Sequence, residues 1–200
     1  IALYSEERIG PIQDEEIVRI RVKELSLHRP RQWGACWLAV ALWEQLELDR
    51  FWAERLSPSR KGTRWDWILQ ILVVYRLLDP GSEWRLYRHW FEHSALADLL
   101  GADEELAEIH KLYECHEHLL AYKKELFGHL TGRWKALFNA QFDVLLYDLT
   151  STYFESDPPF PEGDKRRYGY SRDKRSDCVQ VIVALIVTPE GFPLAYEVLS

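Results

Sequence analysis

The chain has 200 residues, of which 47% are hydrophobic, so it is long enough for one large domain and can bury a substantial core. Its formal charge of −7 argues against a bulk electrostatic attraction to nucleic acid, although a local basic patch stays open. No apolar run reaches the roughly 18 residues of a membrane span and the amino-terminus lacks a signal-peptide pattern, so we expect a cytoplasmic protein with no membrane partner.

The first part of the chain predicts helices. Apolar residues recur at helical intervals over 33–48, and 64–78 is apolar nearly all round, which predicts a buried helix. The Asp-Pro-Gly breaker at 79–81 ends that helix. Before these helices, the sequence at 17–25 alternates well enough to be a strand.

Helices also follow the breaker. Ser82 is placed as the N-cap of a helix over 82–93. A short helix over 95–100 should end at the glycine that follows it. One or two longer helices are expected over 104–138, with a hinge near Gly128.

At Phe142 the hydrophobic period changes from 3.6 to 2. Residues 142–150 predict a first strand, which is apolar on both faces and is therefore expected in the centre of a sheet. Residues 179–188 and 192–200 predict an antiparallel hairpin around a tight turn that contains a proline and a glycine.

The sequence thus divides into two regions. Residues 1–140 form a mainly helical region, a candidate for DNA binding or oligomerisation. Residues 141–200 form the start of an α+β or α/β domain.

One carboxylate, Asp148, lies near the end of the first strand in the sequence FDVLLYDLTST. A buried ion costs several kcal/mol unless it is paired or bound to a metal. Oxygen ligands of this kind suit a hard cation such as Mg²⁺, which makes Asp148 a candidate metal ligand. The alternative is that Asp148 caps the next turn through Thr150 or Ser151.

A basic and aromatic stretch lies between the first two strands, where six of the eleven residues at 165–175 are Lys or Arg. Lysine and arginine neutralise phosphates, and tyrosine stacks on bases, so the stretch predicts contact with DNA. The candidate contacts are Lys165, Arg166, Arg167, Tyr168, Tyr170, Arg172, Lys174 and Arg175. The alternative is a solvated loop that carries charge without using it.

The three cysteines are widely spaced, so they indicate no disulfide framework and fit a reducing compartment. Cys115, His116 and His118 in HKLYECHEH have the composition of a zinc site. On a helix, however, His116 points away from the face that the other two share, which disfavours a closed site.

Three blocks of sequence occur together in this order: YDLTSTYFE at 147–155, YGYSRDKRSDC at 168–178 and VTPEGFPLAYE at 187–197. They resemble bacterial insertion-sequence transposases of the DDE type. The resemblance covers 142–200 firmly and the upstream helices more loosely. It implies a ribonuclease-H-like catalytic core, with the first three strands of its mixed sheet in 141–200.

In that family the aspartate of the first block is the first of three acidic metal ligands, which corresponds to Asp148. The resemblance therefore implies a catalytic, Mg²⁺- or Mn²⁺-binding role for Asp148 in a protein that cuts and joins DNA strands. Its partners would be transposon ends and target DNA, with homo-oligomerisation left open. The second aspartate and the glutamate would lie beyond Ser200, so we expect this N-terminal portion to be inactive alone.

Two other functions remain open. One is a non-catalytic helical module for DNA binding or oligomerisation, because two of the three acidic ligands are missing from 1–200. The other is a phosphotransferase that uses Asp148 as a nucleophile. That enzyme class usually has Asp-x-Asp followed by a helix, whereas this sequence has Asp-x-Thr and a basic loop.

Overall fold

The structure is a computed structural model that describes residues 30–102, 104–142, 146–169 and 175–200, and these form a mixed α+β fold. The α-helices are α1 (Trp33–Gln45), α2 (Leu48–Ala53), α3 (Trp65–Leu78), α4 (Glu83–Arg85), α5 (Phe91–His93), α6 (Leu96–Leu100), α7 (Ile109–Leu119) and α8 (Lys123–Phe138). The strands are β1 (Leu146–Phe154), β2 (Arg167–Tyr168), β3 (Val179–Val187) and β4 (Pro193–Leu199). None of these helices has both the length and the apolar character needed to cross a membrane. The strand predicted at 17–25 lies outside the described residues.

The helices share one hydrophobic core that is centred on α3. This helix packs between α1 and α7 and buries Ile68, Ile71 and Tyr75 completely. The prediction of a buried helix over 64–78 is therefore confirmed for most of its length. Val73 and Leu77 are exceptions, because they project from the one face of α3 that stays exposed.

Most predicted helix ends are confirmed. Ser82 caps α4 by accepting a hydrogen bond from the backbone of Arg85, and Gly101 ends α6 in the left-handed conformation. The first helix ends at Gln45 rather than near residue 48, because Glu47 also takes a positive φ and separates α1 from α2. The hinge predicted at Gly128 is wrong. Helix α8 runs through it unbroken, and a 3₁₀ turn at Leu120–Tyr122 separates α7 from α8 instead.

The sheet is antiparallel, with β3 in its centre. Strand β1 pairs with one side of β3 from Leu146 opposite Val187 to Phe154 opposite Val179. Strands β2 and β4 pair with the other side of β3. The central position predicted for the first strand is not seen in the described part of the sheet, where β3 is the only partner of β1. Apolar side chains on both faces of a strand do not show that it has a neighbouring strand on each edge, because side chains point to the faces of a sheet and not to its edges.

The predicted hairpin between β3 and β4 is confirmed. The Thr188 N–H donates to the Phe192 carbonyl at 3.0 Å, and the Gly191 N–H donates to the Thr188 carbonyl at 2.9 Å. Gly191 has a φ of +93°, a conformation that glycine adopts without steric cost. The turn chemistry of the sequence therefore sets the register of β4.

Helix α8 joins the helical region to the sheet by packing along β4. The Trp134 indole donates from Nε1 to the Pro193 carbonyl at 3.1 Å and stacks on Phe192 at 5.2 Å. Further along, the Phe127 and Tyr196 rings meet edge to face at 5.8 Å. An aromatic seam therefore fixes α8 against the hairpin.

Candidate functional site

Asp148 is the third residue of β1 and lies opposite Leu185 of β3. Its side chain is exposed, so the expectation of a buried charge in an apolar strand is wrong. The physical reason is that β1 makes its main contacts with β3, so both of its faces are left open at Asp148 and Leu149. The alternative role as a turn cap is also wrong, because β1 continues through Thr150 and Ser151 as far as Phe154.

The neighbours of Asp148 on its own strand and face are polar, whereas its partner on β3, Leu185, is apolar. Thr150 and Thr152 are exposed and share its face of the sheet, since alternate residues of a strand point the same way. Within the described residues, the Asp148 carboxylate has no ion pair or hydrogen bond. The same residues contain no group of three or more His, Cys, Asp or Glu side chains that could hold a metal ion. Asp148 is thus one isolated oxygen donor.

Arg166 of the basic stretch is held by a neighbouring carboxylate. Its Nε donates to Asp164 Oδ1 at 3.1 Å and its Nη2 donates to Oδ2 at 2.6 Å. These hydrogen bonds lower the pKa of Asp164 to about 2. The guanidinium also lies over the Phe160 ring at 4.0 Å, so Arg166 is fixed on two sides.

Arg175 is held in a similar way at the other end of the stretch. It donates to Asp177 at 2.9 Å and to Glu155 at 3.1 Å, and it lies over the Tyr153 ring at 4.9 Å. The hydrogen bonds lower the pKa of Asp177 to about 2 and raise that of Arg175. Arg175 therefore ties the segment before β3 to the end of β1.

Lys165 and Arg167 bind backbone oxygens instead. The Lys165 ammonium donates to the Val198 carbonyl at 2.5 Å, and Arg167 Nη1 donates to the carbonyls of Asp164 and Arg166, both at 2.7 Å. Neither cation has an ion pair with a carboxylate in the described part of the chain. Neither is held by a carboxylate as Arg166 and Arg175 are, although the charge of Arg167 helps to lower the pKa of Asp164.

The remaining predicted contacts divide into two groups. Tyr168 lies in β2 and is 55% exposed, which leaves its ring open for stacking. Tyr170, Arg172 and Lys174 lie outside the described residues. Arg167 and Tyr168 pair with β3, but Lys165, Arg167 and Tyr168 are all exposed, so the alternative of a solvated loop that carries charge without using it stays open.

The structure does not bring Asp148 and the basic residues together. Asp148 lies opposite Leu185, whereas Arg167 lies opposite Gln180, five positions along β3. At a rise of about 3.3 Å per residue, the two sites are roughly 17 Å apart along the strand. One extended ligand would be needed to contact both.

The cysteine and histidines of HKLYECHEH turn to different partners. The Cys115 thiol is buried against the Trp65 carbonyl, and burial raises its pKa to about 12. His116 Nε2 lies 3.2 Å from Glu83, and the His118 ring packs on the Trp65 ring at 4.8 Å. These contacts anchor α7 to its neighbours.

The sequence predicted helices in this region but no cleft between them. The cleft has a volume of about 260 Å³ and lies where α1, α2 and α3 meet. Trp43 and Trp52 are indeed buried, but both also line this cleft. The signal in the sequence was Gln70, a single amide within the apolar run of α3.

No protein-family model matches the chain, and comparisons with curated proteins and with solved structures give no significant match either.

Proposed function

We propose that this chain supplies the first metal-ligating carboxylate of a DNA transposase of the DDE type. Such an enzyme cuts and joins DNA strands by metal-dependent phosphoryl transfer. The observation that carries the proposal is the Asp148 carboxylate, which is exposed and unpaired within the described residues, on a strand at the edge of the sheet.

A carboxylate in this state suits a hard cation. Mg²⁺ keeps several waters and binds through one or two carboxylates together with substrate phosphates. Asp148 has no competing cation from the described chain, so it can contribute such an oxygen. Two metal ions at one site would activate the attacking oxygen and stabilise the leaving oxygen of an in-line displacement.

The position of β1 supports a site with more than one carboxylate. Its outer edge has no partner strand among the described residues, so its backbone can pair with a further strand. Side chains directly across such a pair are about 4.5–5.5 Å apart at Cβ. A second aspartate placed there, as the family resemblance implies, would share a metal ion with Asp148.

The face of the sheet opposite Asp148 also supports a larger core. Leu149 of β1 is 61% exposed and Leu199 of β4 is 46% exposed, although both belong to apolar strands. Ile182 pairs with Leu199 and is only partly buried. An apolar face of this kind is stable when further elements pack on it, as in a sheet covered by helices.

In this proposal the basic stretch contacts the DNA backbone unevenly. Arg167 and Lys165 can bind phosphates without first breaking an ion pair with a carboxylate of the described chain. Arg166 and Arg175 would first have to exchange Asp164 and Asp177 for a phosphate, at the cost of two existing charge-assisted hydrogen bonds or more. Tyr168 would stack on a base or sugar beside them.

The test uses the longer protein in which the resemblance places this chain. Asp148→Asn keeps the shape of the side chain but removes its charge, so strand cleavage should be lost while DNA binding stays unchanged. The matched control is Asp157→Asn, at another exposed aspartate, which should cleave normally. Normal cleavage by Asp148→Asn would reject the assignment.

A second candidate function is a non-catalytic interaction module formed by the helices. The observation in its favour is that Trp33, Trp37 and Leu38 of α1 are all more than half exposed. Large apolar side chains grouped on a surface mark interaction sites. Analytical ultracentrifugation of the chain and of Trp37→Lys tests this function, since self-association through α1 would be lost in the variant.

A further inference from the structure

The cleft between α1, α2 and α3 has the features of a built ligand site. Its lining consists of Trp43, Asp49, Arg50, Trp52, Ala53, Arg64, Asp66, Trp67 and Gln70. The volume of about 260 Å³ is close to the lower end of small-molecule sites, which is roughly 300 Å³. The cleft therefore suits a single ring system rather than a large cofactor.

Gln70 is the unexplained polar group of this cleft. Its side chain is only 6% exposed, yet its amide makes no hydrogen bond to any described residue. The amide nitrogen and oxygen are not among the fully buried, unpartnered atoms of the described residues, so they face the open cleft. Gln70 lines the cleft, so a ligand there can supply the missing hydrogen bonds.

The charges around the cleft balance one another. Two aspartates and two arginines line it, and Arg64 pairs with Asp66 through hydrogen bonds of 2.9 and 2.5 Å. The local formal charge is therefore zero, which disfavours a phosphate or a carboxylate as the buried group. Asp66 uses two of its acceptor positions on Arg64 and keeps others for a ligand N–H.

The walls favour a flat aromatic ligand. The indoles of Trp43, Trp52 and Trp67 provide apolar surface, and the Arg64 guanidinium lies over the Trp67 ring at 3.9 Å. Its bidentate pair with Asp66 holds this guanidinium in place. Indole rings and guanidinium planes are the groups on which nucleobases stack.

We propose that this cleft binds one nucleobase that carries an exocyclic amino group, such as adenine. The Gln70 amide presents a donor and an acceptor side by side, which matches the amino group and ring nitrogen of one adenine edge. Asp66 accepts from the same class of amino group. Purine riboside has the same ring system without that group, so it would leave the acceptors of the cleft unmet.

The proposal does not depend on transposase activity. The base can come from a free nucleoside or from an unpaired position in a DNA strand, and the chemistry of recognition is the same. The probe is 2-aminopurine, whose fluorescence falls when it stacks on an aromatic ring. It is added to the full chain as the free deoxyriboside, within a single-stranded oligonucleotide, or paired within a duplex.

We expect quenching with the single strand, the free deoxyriboside or both, and none with the paired base. Quenching by both indicates that any free base is accepted, and quenching by the strand alone identifies DNA as the source. Adenosine should displace the probe at about tenfold lower concentration than purine riboside, as one bidentate pair implies. No quenching with either unpaired form, or equal displacement by the two nucleosides, overturns the proposal.

A variant pair tests the role of Gln70 itself. Gln70→Met keeps the volume but removes both hydrogen bonds, and it should weaken binding by about tenfold. Gln141→Met changes an exposed glutamine elsewhere and should bind like the unchanged protein. Circular dichroism establishes that each variant is folded. Unchanged binding by folded Gln70→Met contradicts the proposal, and the displacement series decides the question if that variant does not fold.

Discussion

Asp148 of β1 lies opposite Leu185 of β3. Among the described residues, β3 is the central strand of the sheet and β1 is an edge strand. The pairing leaves the carboxylate in solvent rather than in the core. Asp148 is therefore available for a cation without first breaking an internal contact. This is the arrangement on which the proposed function rests.

The ion pair between Arg166 and Asp164 predicts how that carboxyl group titrates. Its pKa is lowered to about 2 from an ordinary value of 3.8. A lowered pKa in the folded state stabilises the protein above about pH 4, and this contribution is lost as the pH falls through about 2. In Arg166→Met the pKa should return toward 3.8.

Carbon-detected NMR of the aspartate carboxyl groups measures this pKa directly. Lys165→Met is the matched control, because Lys165 binds the Val198 carbonyl and should leave the titration of Asp164 unchanged. If the midpoint for Asp164 is the same with and without the Arg166 guanidinium, the described geometry of this ion pair is wrong.

Two glycines should respond in opposite directions to the same substitution. Gly191→Ala forces a side chain into a φ of +93°, so it should lower the free energy of unfolding by about 1 kcal/mol or more. Gly128→Ala lies within α8, where an added Cβ meets nothing within 4 Å. It should raise that free energy by about 0.5–1 kcal/mol.

Urea denaturation of both variants tests this pair. Destabilisation by Gly128→Ala would contradict the unbroken course of α8, because a hinge at this position needs the freedom of glycine. A neutral Gly191→Ala would contradict the tight turn between β3 and β4.

The basic stretch predicts different effects on the salt dependence of DNA binding for two neighbouring arginines. Arg167 binds only carbonyl oxygens in the described chain, so Arg167→Gln should reduce the slope of log K against log salt by about 0.7–0.9. Arg166 is neutralised by Asp164, so Arg166→Gln should change the slope much less. Filter binding at several salt concentrations measures the slope for each variant. Equal slopes for the two variants would show that the ion pair with Asp164 does not determine which arginine contacts phosphate.

The local signals of the sequence predicted much of the fold. The apolar period placed α1 and α3, Ser82 and Gly101 placed two helix ends, and the turn residues placed the hairpin of β3 and β4. Each of these features is determined by a few residues that are close together in the sequence, which is why the sequence alone predicts it.

The failures concern relationships between distant residues. The edge position of β1 depends on which strands pair with it, and nothing within 146–154 encodes that. The hydrogen bond from Arg175 to Glu155 joins residues 20 positions apart, which the sequence alone does not reveal. The cleft beside Gln70 requires three helices to meet, and only the isolated polarity of that residue hinted at it.

The most direct measurement of the central claim changes the ligand chemistry at Asp148 in the longer protein. Asp148→Cys replaces a hard oxygen by a thiolate, which Mg²⁺ binds poorly and Mn²⁺ accepts more readily. DNA strand cleavage should be lost in Mg²⁺ and partly restored in Mn²⁺, while Asp157→Cys cleaves in both metals. Full cleavage by Asp148→Cys in Mg²⁺ would contradict the assignment of Asp148 as a metal ligand.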